Sequence, residues 1–201
     1  QFIANENTRR EVRQELGLEN KFVVGHVGRL HPQKNHDFLI DVFAEIKKKQ
    51  PDAELILVGT GPLEEKVRSK VADKGLTESV QFLGNRKDMN RIYQAMDIFV
   101  FPSLFEGLGI VAIEAQAAGV PIVCSEGLPP ETDITPIYRK LMLSDGAEKW
   151  AEAAIEMAQS SKAHTNMQKY IIDAGFDMNA TAKNMEEYYL EKEAQIREKN
   201  K

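Results

Sequence analysis

The sequence predicts an α/β fold with a parallel sheet of about six strands and helices on both faces. Three observations carry that expectation. Short β-branched-rich apolar runs recur along the chain without polar alternation, as strands buried on both faces do. Amphipathic stretches at helical spacing separate them. Loops containing glycine follow several of the runs, and strand–helix–strand repetition favours parallel pairing. The architecture expected is therefore Rossmann-like, and ligands of such sheets bind beyond the carboxyl ends of the strands.

The elements follow in order. Residues 1–20 are polar, with one short helical stretch at Thr8–Leu16, and read as a linker and short helix. The strands are Phe22–Val27, Leu55–Val58, Val80–Leu83, Ile98–Phe101 and Ile122–Cys124, with a weaker sixth at Leu141–Leu143. In His36–Lys49 the apolar residues Phe38, Leu39, Val42, Phe43 and Ile46 form one helical face, and Pro51 ends it. Leu63–Ala72, Met89–Ala95 and Ile110–Ala118 read the same way. From Ala147 the chain is expected to be helical, over Glu148–Ser161, Ala163–Asp173 and about Ala180–Lys199. The domain expected spans 21–178, with a terminal helix at 179–201.

Composition narrows the function. Of 201 residues, 42% are hydrophobic and 28% charged, an ordinary globular balance, and the formal net charge is −5. Nucleic-acid binding is not expected of an acidic chain without clustered Lys and Arg. Any phosphate must be held by local groups. Cys124 is the only cysteine, so no intrachain disulfide forms. No apolar run reaches transmembrane length, and the opening Gln1–Glu6 does not read as a signal peptide. The absence of an initial Met suggests a segment of a longer protein. A cytoplasmic location is expected, with a peripheral place at the inner face of the membrane open to the full-length protein.

The loops after the strands hold the chemistry. Gly28-Arg29-Leu30-His31-Pro32-Gln33-Lys34-Asn35 follows the first strand, and two cations beside a helix start suit a diphosphate. Gly59-Thr60-Gly61-Pro62 reads as structural. Gly84-Asn85-Arg86-Lys87-Asp88 suits either backbone contact to a base or a helix entry capped by Asp88. The richest segment runs from Phe101 through Glu106-Gly107-Leu108-Gly109-Ile110 to Glu114. Its glycines thin the chain at a helix start, where N–H groups can approach an anion. Carboxylates such as Glu106 and Glu114 accept from vicinal hydroxyls of sugars or ribose. His26, His36, Cys124 and Trp150 read as core, whereas His31 lies nearer the cations. No His/Cys cluster has metal-ligand spacing.

These residues together resemble the family 4 (group 1) retaining glycosyltransferases of the GT-B fold, of the bacterial surface-polysaccharide type. The resemblance spans Lys21–Glu126. It rests on Gly28–Leu30 with Lys34–Asn35, Val58–Pro62, Phe82–Gly84, Asp97 with Pro102–Ser103, and Glu106-x7-Glu114 followed by Gly119–Pro121. It implies the C-terminal, donor-binding half of a two-domain hexosyltransferase, with the acceptor half absent. The donor implied is a nucleoside diphosphate sugar, a uridine diphosphate hexose or N-acetylhexosamine. The acceptor implied is a glycan or a lipid-linked acceptor, met through the absent half. By position, Gly28, Arg29 and Lys34 would hold the diphosphate, and Glu106 the sugar hydroxyls. Glu114 would hold the ribose. The N–H groups of Gly107, Leu108, Gly109 and Ile110 would face phosphates or sugar, and Asn85 and Arg86 would border the base. Glu106, Arg29 and Lys34 are the catalytic candidates. No cofactor and no metal are implied, in keeping with the lack of a D-x-D motif. The segment Glu126-Gly127-Leu128-Pro129-Pro130-Glu131 departs from the family's commonest pattern and leaves the donor sugar open.

Two other readings compete. Gly107-Leu108-Gly109-Ile110-Val111-Ala112 fits G-x-G-x-x-A, with Glu126 near a dinucleotide site's acidic position. That fingerprint should follow the first strand directly; here it follows the fourth, after five further residues. A non-catalytic domain of the same fold is the other reading, and the presence of Arg29, Lys34, Glu106 and Glu114 argues against it. Both side chains of Arg29 and Lys34 are expected to face the Gly107–Ile110 turn. Glu114 is expected to be partly buried with acceptors open to the cleft. Met185, Tyr188, Tyr189 and Ile196 are expected to form an apolar stripe on the last helix.

Overall fold

The computed structural model describes residues 2–159 and 163–199. The chain divides into two compact units, Gln1–Met167 and Gln168–Lys201. The first holds helix α1 (Glu6–Leu16) and six strands, β1 (Phe22–Val27), β2 (Ala53–Val58), β3 (Val80–Gly84), β4 (Ile98–Phe101), β5 (Ile122–Ser125) and β6 (Tyr138–Leu141). Its other helices are α2 (His36–Lys49), α3 (Glu64–Asp73), α4 (Met89–Ala95), α5 (Ile110–Ala117) and α6 (Ala147–Ala158). The second unit holds α7 (Gln168–Asp173) and α8 (Met178–Lys199). On α8, Met185, Tyr188 and Tyr189 are exposed, and the side chain of Ile196 lies outside the described residues.

All strand pairs are parallel, in the order β3-β2-β1-β4-β5-β6. Alternate strand residues feed two cores. Val24, Leu55, Leu57, Ile98, Val100 and Val123 pack on one face with α2, α3 and α6. Val23, Ile56, Phe99, Phe101 and Ile122 pack on the other with α1, α4 and α5. Both sides of each central strand are thus apolar, which is why these runs lack polar alternation.

The connectivity places the site. β1 lies beside β4, yet the chain leaves β1 for α2 on one face and leaves β4 for α5 on the other. Two neighbouring loops therefore part at the carboxyl edge, and such a switch point opens a crevice.

The sixth strand differs from expectation. It is Tyr138–Leu141, and Leu143–Asp145 form a 3-10 turn instead. β6 is an edge strand with no fully buried residue, and Arg139 reaches out to pair with Glu156. Only Tyr138 and Leu141 of its four residues pack on the cores, so no apolar run marks it. α7 likewise begins at Gln168 rather than Ala163, because 163–165 turn and Met167, in irregular chain, packs into the core. The expected end of the preceding helix at Ser161 lies outside the described residues.

At the amino-terminal ends of the central strands β1 and β4, Asp97 ties α1 down. Its carboxylate accepts from Arg9, from Arg13 at 3.0 Å and from the N–H of Val23 at 2.7 Å. Gln94 Oε1 also accepts the N–H of Asn5 at 3.0 Å.

Candidate functional site

Glycines let the loops at the carboxyl edge come together. Gly28 donates its N–H to Val58 at 2.9 Å, and Leu30 donates to Thr60 at 3.1 Å. A Cβ on Gly59 would strike the carbonyl of Gly28, and one on Gly61 the carbonyl of Leu30. The Gly59–Pro62 loop is thus a close-packed support, as its composition suggested. Gly28 serves differently: the Lys34 stem lies over it, and a Cβ there would meet Lys34 Cδ and Cε at 3.1 Å.

That packing aims Lys34 at the loop after β4. Its Nζ donates to Glu106 Oε1 at 2.7 Å and sits 4.7 Å from the centre of the Phe101 ring. The two charged side chains are only 16% and 8% exposed. Little water shields this pair, so each charge depends on the other or on a ligand that replaces it. Arg29, by contrast, is exposed and has no ion-pair partner among the described residues. It is placed on the same loop, and no contact fixes it to the turn.

The turn itself offers donors. Gly109 takes φ +68°, the left-handed conformation glycine adopts freely, and starts α5 without a side-chain cap. Among the described residues, the N–H groups of Gly107, Leu108, Gly109 and Ile110 have no acceptor. Four unpaired donors at a helix start favour an anion. Around them Leu104, Phe105, Leu108 and Ile110 are exposed.

Glu114 stands one turn into α5, half-buried. Its Oε2 accepts from the Tyr93 hydroxyl at 2.9 Å, a donor shared with the Val111 carbonyl at 3.2 Å. Burial pushes the Glu114 carboxyl up from its ordinary value, and the Tyr93 bond partly offsets that. Burial and the neighbouring carboxylate push the Tyr93 phenol well up, so it stays a donor. Oε1 has no partner among the described residues and is free to accept.

Asn85 is exposed, with Thr60 Oγ1 at 3.4 Å from its Oδ1. Arg86 is committed to Asp88, donating from Nε at 2.9 Å and Nη2 at 2.7 Å. A fork so engaged leaves the backbone of this loop, rather than the guanidinium, as its contribution to a ligand. Asp88 spends its side chain on Arg86 and makes no cap bond to α4.

Three participants were not apparent from the sequence. Gln33 donates from Nε2 to the Phe105 carbonyl at 2.9 Å. Gly127 accepts the N–H of Glu106 at 3.0 Å, and a Cβ there would strike the Leu104 carbonyl. Tyr93 reaches Glu114 from a neighbouring helix. None carries a local signal, since each matters only through a residue distant in sequence. Glu126, the acidic residue of the dinucleotide reading, accepts the N–H of Leu143 at 2.9 Å. That bond turns it toward the segment after β6.

Behind Lys34 lie two buried histidines. His26 and His36 meet edge to face with ring centres 4.7 Å apart. Burial and the Lys34 charge lower His36 to about 4. Burial, then His36, lower His26 well below its ordinary value. Both are neutral core residues at physiological pH, as expected.

A family model described as glycosyl transferases group 1 matches residues 8–174. Bacillus subtilis EpsF is 33% identical over 144 residues, which cover 71% of this chain and 38% of that protein. The GDP-mannose-dependent monoacylated α-(1-6)-phosphatidylinositol monomannoside mannosyltransferase of Corynebacterium glutamicum is 35% identical over 156 residues, 72% of this chain and 40% of that protein. Among solved structures, HepE from Anabaena in complex with UDP and glucose superposes with a TM-score of 0.78 at 25% identity, over 93% of this chain and 53% of that chain. The chain thus spans about two fifths of the curated relatives' length and about half of HepE.

Proposed function

The chain belongs to the group 1 glycosyltransferases, and from that premise we propose that it is the donor-binding half of a retaining GT-B enzyme that transfers a hexose or N-acetylhexosamine from a nucleoside diphosphate sugar. The observation that carries this is the meeting, at one switch point, of the Lys34–Glu106 pair, the unpaired N–H run at Gly107–Ile110 and the half-buried Glu114. The chemistry of these groups suits the three parts of a sugar nucleotide. Arg29, Lys34 and the N–H run face the diphosphate, Glu106 the sugar hydroxyls and Glu114 the ribose.

The chemistry follows from charge. When the glycosidic bond breaks, the departing nucleoside diphosphate gains negative charge. Fixed N–H groups and cations at its phosphates stabilise that charge, and removal of one such donor costs about 3 kcal/mol of transition-state stabilisation. Glu106 then has two roles. It holds Lys34 before the donor arrives and positions the sugar afterwards. The acceptor, a glycan or lipid-linked glycan in polysaccharide synthesis, is assigned to a domain beyond this chain. Uridine is the proposed base, by the likeness to HepE, which was solved with UDP. The mannosyltransferase relative is GDP-mannose-dependent, so guanosine is the necessary comparison.

Titration calorimetry tests the reading. UDP is expected to bind this chain more tightly than uridine, GDP or NAD, and Arg29→Ala is expected to weaken UDP while sparing uridine. Tighter binding of NAD than of any nucleoside diphosphate would overturn it in favour of a dinucleotide module. Tighter GDP would change the base alone.

A further inference from the structure

The N–H run at Gly107–Ile110 is useful to an anion only if something holds it in place. Burial does not. Leu104 and Phe105, immediately before it, are 48% and 63% exposed. Their side chains give the loop little hydrophobic anchorage, so its position rests on hydrogen bonds. From one side these come almost wholly from two consecutive residues of the 3-10 turn after β1. The Gln33 carbonyl accepts the N–H of Leu104 at 2.8 Å, and Gln33 Nε2 donates to the Phe105 carbonyl at 2.9 Å. Lys34 adds its bond to Glu106 at 2.7 Å. From the other side, Gly127 accepts the N–H of Glu106. Beyond Glu106 the chain makes no N–H bond among the described residues until Ala112 donates to Gly109 at 2.8 Å.

We propose that Gln33 is a positioning residue: its side chain, bound to the Phe105 carbonyl, fixes the height of the Leu104–Glu106 segment and so aims the N–H run at the donor diphosphate. This rests on the donor-binding reading above. Phe105 offers a carbonyl, which can only accept, so the position requires a donor of Gln length. Gln33 itself touches no phosphate. It acts through backbone, and its effect should be felt by the diphosphate and not by the base, assigned to the Gly84–Asp88 loop, or the ribose, assigned to Glu114, which Tyr93 holds within α5.

The test compares Gln33→Met, which keeps the length and removes the donor, with Gln33→Lys, which restores a donor of similar reach. In the nucleotide-free chain, Gln33→Met should speed amide exchange at Leu104 and Glu106, whose N–H groups are bonded, and Gln33→Lys should slow it again. By calorimetry, Gln33→Met should weaken UDP about two- to tenfold, the range for one lost hydrogen bond. It should leave uridine unchanged, and Gln33→Lys should recover the affinity for UDP. Equal loss for UDP and uridine, unchanged UDP affinity or exchange in Gln33→Met, or failure of Gln33→Lys to rescue would each overturn the proposal. Absence of UDP binding in the unaltered chain would overturn the donor reading and this proposal together. Normal UDP binding with an indifferent Gln33→Met overturns this proposal alone.

Discussion

Glu114 shows how a single residue can be costly to the fold and useful to a ligand. Burial raises its carboxyl pKa, so the folded chain resists ionising it. A raised carboxyl contributes stability below its unfolded value and loses it as pH rises through the folded value. At neutral pH the charged form is therefore a burden that the Tyr93 bond only partly relieves. Glu114→Gln keeps an acceptor for Tyr93 and removes the charge. Its urea midpoint at pH 7 should equal or exceed that of the parent chain, and UDP affinity should drop about 10- to 100-fold, the range for hydrogen bonds to a charged group. A lower midpoint with unchanged affinity would make Glu114 a structural carboxylate. Glu114 could be picked out in the sequence because a charge stood inside the apolar run Ile110–Ala115. Its partner could not. Tyr93 lies 21 residues away, and helical spacing alone does not relate the two helices. Lys34 and Glu106 were similarly legible as charges on loops after strands. That they bind each other when no donor is present depends on Gly28, whose missing Cβ makes room for the lysine stem.

Polar contacts join elements beside the apolar cores, and some of them give the fold its response to acid. His26 on β1 donates from Nδ1 to the Val100 carbonyl of β4 at 2.9 Å, since that oxygen can only accept. His36 opens α2 against it, and neither of its ring nitrogens has a partner among the described residues. Both are lowered by burial, His36 to about 4. The unfolded chain therefore takes up protons near 6.5 that the folded chain refuses. Stability from this pair is complete above that value and falls as pH drops toward 4, by about 1.4 kcal/mol per pH unit for each proton. His164, also lowered to about 4, adds to the slope. His36→Leu should remove about one proton's share between pH 6 and 5, read from urea midpoints at pH 7, 6 and 5. An unchanged slope would mean that His36 is hydrated and charges freely in the fold. Periodicity located β1 and α2 because their apolar faces are continuous. It misplaced β6 because in that edge strand only Tyr138 and Leu141 pack on the cores, while Arg139 pairs with Glu156 and Lys140 is exposed.

At the scale of the molecule, every group assigned to the donor lies within Gln1–Met167, on loops joined to the one sheet or, for Glu114, on α5. The net charge of −5 offers a diphosphate no general attraction. Affinity must arise from local donors fixed by folding, and an unfolded chain, with Lys34, Glu106 and Glu114 far apart, has no such site. Binding should then stabilise the folded state by mass action. At a free UDP concentration a hundred times the dissociation constant, the gain is about 2.7 kcal/mol. For a domain of this size that amounts to a rise in the unfolding midpoint of about 5–10 °C. Uridine at the same concentration as UDP should give a smaller rise, because it lacks the groups that meet Lys34 and the N–H run. Inorganic pyrophosphate, which meets only those groups, should also give a smaller rise than UDP. If pyrophosphate alone matched UDP, the nucleoside would contribute nothing, and Glu114 would be meeting no ribose. If uridine matched UDP, the switch-point donors would be idle, and the Lys34–Glu106 pair would be a structural bridge between the loops after β1 and β4.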